Sequence, residues 1–274
     1  MAGKRILVYG SMGDIAGTVA TSLRNRGLEV LEVGFPQNTF RDEFGYARGL
    51  RKAVASFSPD VIMPVGDVLA ASRMKKELPE GTVMPVDTPE KIALLNSKVD
   101  SSALASSLGI PQPEIYRDAD SAAGREIIFK RDKSFGGSGV YRPRTKEALV
   151  NLMNHEPGGR FLIEEYVEGY DFSIDAVRWN DFWHVACYKS LRNHGGQGPS
   201  ILRESAGMPV LEKYARKILD KLDFQGVCGM DFRIDADGNV YFLECNPRFT
   251  GGLATQVEAG FDIPWMLWKC YMEI

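Results

Sequence analysis

The sequence lacks several features that would mark a specialised class of protein. None of its apolar runs approaches the length needed to cross a bilayer, and the run RILVY near the start is too short for a signal peptide. The cysteines form no CxxC pair, and their apolar neighbours are typical of buried thiols. We therefore expect no disulfide, no zinc site, no membrane and a cytoplasmic location. The four cysteines are Cys187, Cys228, Cys245 and Cys270.

A strong net charge is also absent. The 274 residues carry a formal net charge of −3, and 25% of them are charged while 44% are hydrophobic. A chain of this size and composition can bury a sizeable core as one large domain or roughly two to three small ones. Because the charge is weakly negative, nothing attracts the whole protein to nucleic acid, and any attraction for phosphate must be local. Nucleic acid is therefore not an expected partner.

Apolar runs alternate with helical patterns in the first part of the chain. RILVYG is typical of a buried strand, AGTVATSLRNRG of an amphipathic helix ending at Gly27, and LEVLEVGF of a second strand. A further helix and the strand DVIMPVG follow, so residues 1–90 are predicted to form a Rossmann-like, parallel α/β leading domain. Two helices, ending at Gly109, are predicted over TPEKIALLNSKVDSSALASSLGIP and mark the boundary.

From Glu126 onwards the pattern changes to strands in hairpin-like groups. EIIFKRD is followed by SGVYRPR, FLIEEYV by DFSIDAVRW and FWHVACYKS, and GVCGMDFRID by NVYFLECN. One helix, over MPVLEKYARKILDKLDF, interrupts them. The predicted fold class is therefore an α/β leading domain followed by α+β domains with antiparallel sheets. The three predicted parts cover residues 1–90, 91–165 and 166–274.

Two glycine-rich stretches are candidates for phosphate binding. GSMGDIAG has glycines at 10, 13 and 17, a spacing that matches no dinucleotide fingerprint, so it is either a tight β-α turn or a dinucleotide site. FKRDKSFGGSGV sets Lys130, Arg131 and Lys133 beside three further glycines. Glycines let successive N–H groups converge on a phosphate while a strand lysine supplies charge. The alternative is a flexible hairpin with solvated charges.

The segment GMDFRIDADGNVYFLECN predicts a β-hairpin with its turn at DADG. In the register that this turn favours, Asp235 faces Val240 and Asp231 faces Glu244. Opposed residues have Cβ atoms about 4.5–5.5 Å apart, where like charges repel, and period two places Asn246 on the face of Glu244. Two carboxylates and an amide suit Mg²⁺ that also binds phosphates. We therefore predict a metal site here, rather than unpaired acids on a solvated face.

Together these motifs resemble the ATP-grasp superfamily, and within it the branch of carbamoyl-phosphate synthase domains and carboxylate–amine ligases. FLECNPRFTGG resembles the family's Mg²⁺ strand, with Glu244, Asn246 and Arg248 at the matching positions and Asp231 contributed by the preceding strand. IIFKRDKSFGGSGV resembles its lysine strand and flexible loop. The resemblance covers nearly the whole chain. It implies linker helices and a small ATP-grasp lid subdomain at 91–165, a C-terminal ATP-grasp subdomain at 166–274, and ATP with Mg²⁺ or Mn²⁺ as cofactors.

The resemblance also implies roles for individual residues in nucleotide binding. Lys130 would contact the α- and β-phosphates, and Lys98 matches the family's other nucleotide-contacting lysine. FLIEEYVEGYDFSIDAV resembles the adenine strand, so Glu164 would accept from the adenine amino group and Asp171 would bind the ribose. Lys189 is either a phosphate contact or a solvated strand lysine. The main-chain groups that would contact the edge of the adenine ring are those of Glu165, Tyr166 and Val167. The loop that would cover the γ-phosphate comprises Ser134, Gly136, Gly137, Ser138 and Gly139.

Two positions depart from the family pattern. Arg131 follows the strand lysine where proline is common, which affects the geometry of the loop, and Asp171 stands where glutamate is common and has a shorter reach. GGQG at 195–198 would be a mobile loop over the substrate, with His194 either a catalytic base or a histidine without a role.

The function implied is a ligase that activates a carboxylate as an acyl phosphate for attack by an amine or another nucleophile. Arg248, aimed by Pro247, would be catalytic together with Lys130, because a forked guanidinium suits the charge that builds during phosphoryl transfer. The expected partners are a small carboxylate and an amine. Many relatives carry a further C-terminal domain, and in its place we expect a second copy of the chain or another chain to cover the site. The alternatives are a phosphoryl-transfer subunit that makes carbamoyl phosphate, and a non-catalytic nucleotide- or NAD(P)-binding module.

Overall fold

A parallel sheet with strand order β2-β1-β3 is the centre of the leading part of the chain. The computed structural model describes residues 3–10, 13–34, 43–134, 136–156, 158–193 and 200–272. Its first elements are β1 (Arg5–Gly10), α1 (Gly13–Arg24), β2 (Glu29–Gly34), α2 (Glu43–Phe57), β3 (Val61–Val65), α3 (Val68–Met74) and a 3₁₀ helix (Lys75–Glu77).

Strand β1 is buried on both faces, which explains its unbroken apolar run. Leu7 and Tyr9 pack in the cluster that contains residues of α2, and Ile6 and Val8 pack in the cluster that contains residues of α1. Parallel strands covered by helices on both faces lose the alternation of apolar and polar residues. The parallel pairing predicted for this part of the chain is therefore present, as a three-stranded sheet.

Two short helices lead from this sheet into the rest of the chain. They are α4 (Pro89–Asn96) and α5 (Lys98–Ser107). Ser97 caps α5, since its hydroxyl accepts from the N–H of Asp100. Gly109 follows with a φ of +66°, a conformation that suits glycine at the end of a helix. The two helices predicted up to Gly109 are confirmed.

An antiparallel sheet of four strands follows, with strand order β4-β7-β5-β6. Leu149 of α6 packs against Phe129 of β5 and Ile163 of β7 in a separate small core. The predicted pairing of EIIFKRD with SGVYRPR is confirmed, because β5 pairs with β6. The elements of this part are β4 (Ile115–Tyr116), β5 (Ile127–Arg131), β6 (Val140–Tyr141), α6 (Lys146–Asn154) and β7 (Phe161–Glu165).

The last part of the chain forms a five-stranded antiparallel sheet with strand order β10-β9-β8-β11-β12. One face packs on α7 through Ile174 and Met230, and the other packs on α1, α8 and α9 through Val177 and Val227. Its elements are β8 (Tyr170–Trp179), β9 (Phe182–Asn193), β10 (Ser200–Ser205), α7 (Pro209–Lys221), β11 (Gly226–Ile234), β12 (Val240–Asn246), α8 (Leu253–Glu258) and α9 (Ile263–Met272). Within the described ranges, no helix is both long and apolar enough to span a membrane.

The grouping of FLIEEYV with the two strands after it is wrong. Strand β7 pairs with β4 and β5 in the four-stranded sheet, while β8 pairs with β9 and β11 in the five-stranded sheet. The connection at 166–169 therefore carries the chain from one sheet to the other. Strand patterns show that two segments are extended, but they do not show that neighbours in sequence share a sheet.

The β11–β12 hairpin has the predicted pairing of Asp231 with Glu244, but a different turn. Ile234 faces Val240, where Asp235 was predicted, and a bulge between Asp231 and Phe232 restores the predicted register beyond it. The side chain of Asp235 explains the shift, because its Oδ1 accepts from the N–H groups of Asp237 and Asn239 at 3.0 and 2.8 Å. These local bonds hold Asp235 in the loop.

Candidate active site

The two predicted metal-binding acids lie side by side on the five-stranded sheet. Asp231 of β11 is directly opposite Glu244 of β12. On its other side Asp231 is opposite Ser173, whose hydroxyl donates to Asp231 Oδ1 at 2.6 Å. Asn246 Nδ2 lies 3.1 Å from Glu244 Oε1 and 3.5 Å from Asp231 Oδ2. The structure therefore brings all three predicted ligands together.

The two acids differ in their electrostatic surroundings. Burial, followed by the charge of Glu244, raises the pKa of Asp231 to about 7. Burial acts on the pKa of Glu244 in the same direction, but Lys98, the Asn246 amide and Lys130 outweigh it and hold that pKa below its ordinary value. The site thus combines an ionised carboxylate balanced by lysine with a second carboxylate that ionises near neutral pH. A divalent cation between them would favour the ionised form of both.

The donor set fits a hard cation that shares its coordination with a ligand. Among the residues that the structure describes, no group of three or more histidine, cysteine or acidic side chains converges. Asp231, Glu244 and Asn246 offer two carboxylates and an amide instead. An amide side chain can present either its O or its N to the acids, according to its hydrogen bonds. Oxygen ligands in small number, with positions left for water and phosphate, are those that Mg²⁺ takes in proteins.

Two buried lysines lie close enough to Glu244 for their charges to lower its pKa. Lys98, the first residue of α5, has its Nζ 3.1 Å from Glu244 Oε2, and the same Nζ donates to the main-chain carbonyl of Ser134 at 2.8 Å. Lys130 of β5 has its Nζ 2.6 Å from Glu164 Oε2 on β7. Leu162 is opposite Lys130, so Glu164, two residues further along, lies on the same face. Both lysine side chains are less than a tenth exposed, at 6% and 9%.

A main-chain hydrogen bond joins the two ends of the glycine-rich loop between β5 and β6, and three positions in the loop favour glycine. Arg131 donates its N–H to the carbonyl of Gly139 at 2.9 Å. A Cβ at Gly139 would lie 2.5 Å from the Cβ of Ser134, and Gly136 and Gly137 have φ values of +60° and +77°. Because Lys98 binds the Ser134 carbonyl, the start of the loop is joined to Glu244. The remaining predicted loop residue, Ser138, lies in the turn after Gly137.

The predicted adenine strand is the edge at which the chain passes between sheets. The N–H groups of Glu165 and Tyr166 donate to the carbonyls of Glu114 and Glu126, both at 2.8 Å. The carbonyl of Val167 accepts from Arg233 Nη1 at 2.9 Å. Among the three residues predicted to contact the edge of the adenine ring, Val167 is therefore the one whose N–H takes no part in these main-chain bonds.

Asp171, the predicted ribose acceptor, is held by an arginine that the sequence analysis missed. Arg233 donates from Nε and Nη2 to Asp171 Oδ1 at 2.8 and 2.6 Å. The two residues are directly opposite on β8 and β11. The signal that could have found Arg233 is its position two residues after Asp231 on the same strand face.

Lys189 lies away from the acids. It is opposite Phe172, which is opposite Phe232, and Phe232 is adjacent to Asp231 in β11 and so faces the other side of the sheet. Its Nζ lies 4.0 Å from the ring centroid of Tyr170. The structure does not bring Lys189 together with the other predicted site residues. His194 and the GGQG segment at 195–198 lie outside the described residues.

The NPRFTGG turn sets Arg248 beside Asn246. Arg248 Nη2 donates to Asn246 Oδ1 at 2.9 Å, and Nη1 donates to the Phe249 carbonyl at 3.1 Å. A Cβ at Gly252 would lie 1.6 Å from Arg203 Nη1, so glycine permits the close approach of Arg203 to this turn.

Asp175, which the sequence analysis did not predict, binds Thr250 of this turn. Its Oδ2 accepts from the hydroxyls of Thr250 and Tyr188 at 2.8 and 3.0 Å and from Gln256 Nε2. Asp175 is 2% exposed, and burial raises its pKa. Its contacts join β8, β9 and α8 to the segment that carries Arg248.

Sequence comparisons connect this site to known proteins. A family model described as "ATP-grasp in the biosynthetic pathway with Ter operon" matches residues 159–273. The arginine-specific large chain of carbamoyl phosphate synthase from Bacillus subtilis is 29% identical over 47% of this chain and 13% of its own length. Formate-dependent phosphoribosylglycinamide formyltransferase from Thioalkalivibrio sulfidiphilus is 24% identical over 94% of this chain and 74% of its own. The chain thus spans a small part of the carbamoyl phosphate synthase chain and most of the formyltransferase.

Solved structures share the fold at low sequence identity. The biotin carboxylase domain of Hydrogenobacter thermophilus 2-oxoglutarate carboxylase has a TM-score of 0.76 at 19% identity, with 98% of this chain and 70% of that chain covered. N5-carboxyaminoimidazole synthetase from Staphylococcus aureus has a TM-score of 0.74 at 16% identity, with 98% and 78% covered. Residues 159–273 match an ATP-grasp family model, and the relatives and the shared fold agree with the resemblance of the chain to the ATP-grasp superfamily.

Proposed function

We propose that the protein is an ATP-dependent ligase that activates a carboxylate as an acyl phosphate for attack by an amine or another nucleophile. The observation that carries the proposal is the meeting of Asp231, Glu244 and Asn246 with the buried lysines Lys98 and Lys130. Hard-cation ligands beside fixed positive charge suit a nucleotide polyphosphate with Mg²⁺, or with Mn²⁺ in its place. The fold shared with a biotin carboxylase domain solved with MgADP supports the same cofactors here.

The nucleoside would lie along the connection from β7 to β8. Glu164 would accept from the adenine amino group, with its ion pair to Lys130 holding the carboxylate in place. Val167 would donate its N–H to the ring edge, since the N–H groups of Glu165 and Tyr166 already bind main-chain carbonyls. Asp171 would accept from the ribose hydroxyls.

The polyphosphate and the reacting groups would lie between the two antiparallel sheets. Mg²⁺ held by Asp231, Glu244 and Asn246 would supply positive charge to the β- and γ-phosphates. Lys98 and Lys130 would bind phosphate oxygens, and the N–H groups of the glycine-rich loop would cover the γ-phosphate and exclude water.

Arg248 would stabilise charge that develops in the reaction. It would donate to the phosphoryl group during its transfer to the carboxylate, and to the oxyanion that forms when the amine attacks. With no side chain needed to move a proton in these roles, catalysis would rest on positioning and neutralisation of charge.

The organisation of the chain is part of the same proposal. The domains would be a Rossmann-like leading domain at 1–90, linker helices with a lid subdomain at 91–165, and the metal-binding subdomain at 166–274. The three-stranded parallel sheet between helices supports the first of them. We also propose a cytoplasmic location and a homodimer; the related Hydrogenobacter domain is a dimer.

A second function is favoured by the similarity to carbamoyl phosphate synthase large chains. In that case the protein would phosphorylate its acid and release or pass on a mixed anhydride, without using an amine itself.

A screen for release of ADP tests both functions. Small carboxylates and amino acids are offered with Mg²⁺ and ATP, each with and without a panel of amines. The ligase proposal predicts ADP release that needs both a carboxylate and an amine, and transfer of ¹⁸O from the labelled carboxylate to phosphate. ADP release that needs the carboxylate alone, with an acyl phosphate trapped by hydroxylamine, favours the second function. ¹⁸O that remains entirely in the product, with none in phosphate, contradicts an acyl phosphate.

A further inference from the structure

We infer that Arg233 is the positioning residue of the nucleoside site, and that it gives the protein its preference for a ribose over a deoxyribose nucleotide. It does so by holding the carboxylate of Asp171 and the carbonyl of Val167 in one fixed arrangement. The inference rests on the proposed nucleotide site and adds to it a residue that determines specificity.

Arg233 makes its contacts with two different segments of the chain. Nε and Nη2 donate to Asp171 Oδ1 at 2.8 and 2.6 Å, and Nη1 donates to the Val167 carbonyl at 2.9 Å. The side chains of Arg233 and Asp171 are 21% and 28% exposed, so the pair is largely shielded from water. One guanidinium thus joins β11 both to the start of β8 and to the connection from β7.

A close contact at Gly169 fixes the same connection independently. A Cβ at this position would lie 2.2 Å from the carbonyl oxygen of Ile234 and 3.0 Å from the Cα of Asp235. The connection therefore lies directly against the end of β11, one residue beyond Arg233. With Gly169 packed there and Val167 bound by the guanidinium, the main chain before β8 has two anchors on the strand that carries Asp231.

The charge of Arg233 also decides what Asp171 can recognise. A carboxylate paired with a guanidinium is already balanced, so it favours a neutral hydroxyl donor over a second cation. Two oxygens provide about four acceptor sites, so Asp171 keeps acceptor capacity while it binds Arg233. A carboxylate held in one rotamer also loses less entropy when it binds the ribose. Lysine cannot reproduce this arrangement, because a single ammonium group lacks the fork that reaches Asp171 and Val167 together.

The chain offers a matched control at the other end of the same two strands. Arg178 of β8 is opposite Gly226 of β11, and its Nη1 donates to Asp223 Oδ1 at 2.9 Å and to the Phe224 carbonyl at 2.7 Å. It too joins an aspartate to a main-chain carbonyl. Its side-chain contacts in the described part of the chain are with Asp220, Asp223 and Phe224, none of which is proposed to bind the nucleotide.

The test compares Arg233→Gln, Arg233→Lys and Arg178→Gln with the wild type. Calorimetry with Mg²⁺ gives the affinities for ADP, 2′-deoxy-ADP, 3′-deoxy-ADP and pyrophosphate, and a melting curve is recorded for each variant. In the wild type, ADP should bind about tenfold more tightly than whichever of 2′-deoxy-ADP and 3′-deoxy-ADP binds more weakly. Arg233→Gln should reduce this ratio to within about twofold while pyrophosphate affinity is unchanged, because the lysines and metal-binding acids remain. Arg233→Lys should recover only part of the ratio, and Arg178→Gln should keep it.

The outcomes separate this inference from the proposed function. A wild type that binds no ADP overturns both. ADP binding with the same ratio in Arg233→Gln as in the wild type overturns the role of Arg233 alone. A ratio that falls equally in Arg178→Gln shows a general loss of structure and overturns it as well.

Discussion

Arg248 Nη2 donates to Asn246 Oδ1 at 2.9 Å, and Asn246 Nδ2 lies 3.1 Å from Glu244 Oε1. The predicted catalytic arginine and the predicted metal-binding acid are therefore linked through one amide. Arg248 also donates its N–H to the Asn246 carbonyl at 2.7 Å, with Pro247 between them fixing the backbone. The position of the guanidinium thus depends on Asn246, the residue predicted to complete the metal donor set.

Substitution of Arg248 should lower turnover far more than nucleotide affinity. In the proposed mechanism Arg248 donates to charge that develops during transfer, so Arg248→Ala should raise the barrier by about 2–4 kcal/mol. Arg248→Lys keeps the charge without the fork and should recover part of the rate. Rates of ADP release and affinities for an ATP analogue, measured on both variants, check this. Unchanged ADP release in Arg248→Ala would exclude a catalytic role, and weakened nucleotide binding with a lower Tm would indicate a structural one.

The two acids predicted to bind metal should have opposite effects on stability when neutralised. Glu244→Gln leaves the buried ammonium of Lys98 without its carboxylate, so without metal it should cost about 1–3 kcal/mol. Asp231→Asn removes a charge that faces Glu244, and at pH 8, above its pKa of about 7, it should leave Tm equal or higher. Both variants should lose most of the activity. Melting curves of the two variants at pH 8 without divalent cations decide the point, and a larger loss of Tm in Asp231→Asn would contradict it.

Asp132 should make the protein sensitive to acid at the junction of α5 and the glycine-rich loop. Burial acts to raise its pKa, but the hydroxyl of Ser97, the N–H of Val99 and Arg160 outweigh burial and lower it. A lowered folded-state pKa means that the ionised form stabilises the fold above the unfolded-state pKa of about 3.9, and that this stability is lost as the pH falls.

Asp132→Asn tests this pH dependence. At pH 7 the variant should melt below the wild type, since it lacks the charged partner of Arg160, which lies 3.0 Å from Asp132 Oδ2. The gap in Tm should narrow as the pH falls below about 4, where the wild type protonates the same group. A gap that stays constant between pH 7 and pH 3 would show that the charge of Asp132 does not matter.

The glycine-rich loop should become protected when nucleotide binds. Its N–H groups at 136–139 would donate to phosphate oxygens, so their hydrogen exchange should slow by at least about tenfold with an ATP analogue and Mg²⁺. Amides of β1, in the core of the leading part, serve as the internal control and should not change. Exchange at 136–139 that is equally fast with and without the analogue would argue against closure over the phosphate.

The parts of the site that the sequence predicts are the local ones. Asp231 and Glu244 lie on one hairpin, so turn chemistry and the period of two were enough to pair them. Even there the turn itself was wrong by one residue, because the side chain of Asp235 binds the loop's own N–H groups, a competition that strand patterning does not describe.

The contacts that were missed join distant segments. Arg233 and Asp171 are 62 residues apart in the sequence and meet because β8 lies beside β11, which no local pattern shows. Asp175 and Thr250 meet in the same way across 75 residues. Lys189 was predicted to be either a phosphate contact or a solvated strand lysine, and its face of the sheet follows only from its pairing with Phe172.

Binding of ADP with and without Mg²⁺ tests the central claim most directly, because it needs no knowledge of the acid or the amine. Calorimetry on the wild type, Glu244→Gln and the control Arg178→Gln gives each affinity. The proposed function predicts that Mg²⁺ strengthens ADP binding to the wild type and to Arg178→Gln by at least about tenfold, and that Glu244→Gln loses this gain. ADP that does not bind to the wild type, or that binds equally well with and without Mg²⁺, would contradict a nucleotide and metal site at Asp231 and Glu244.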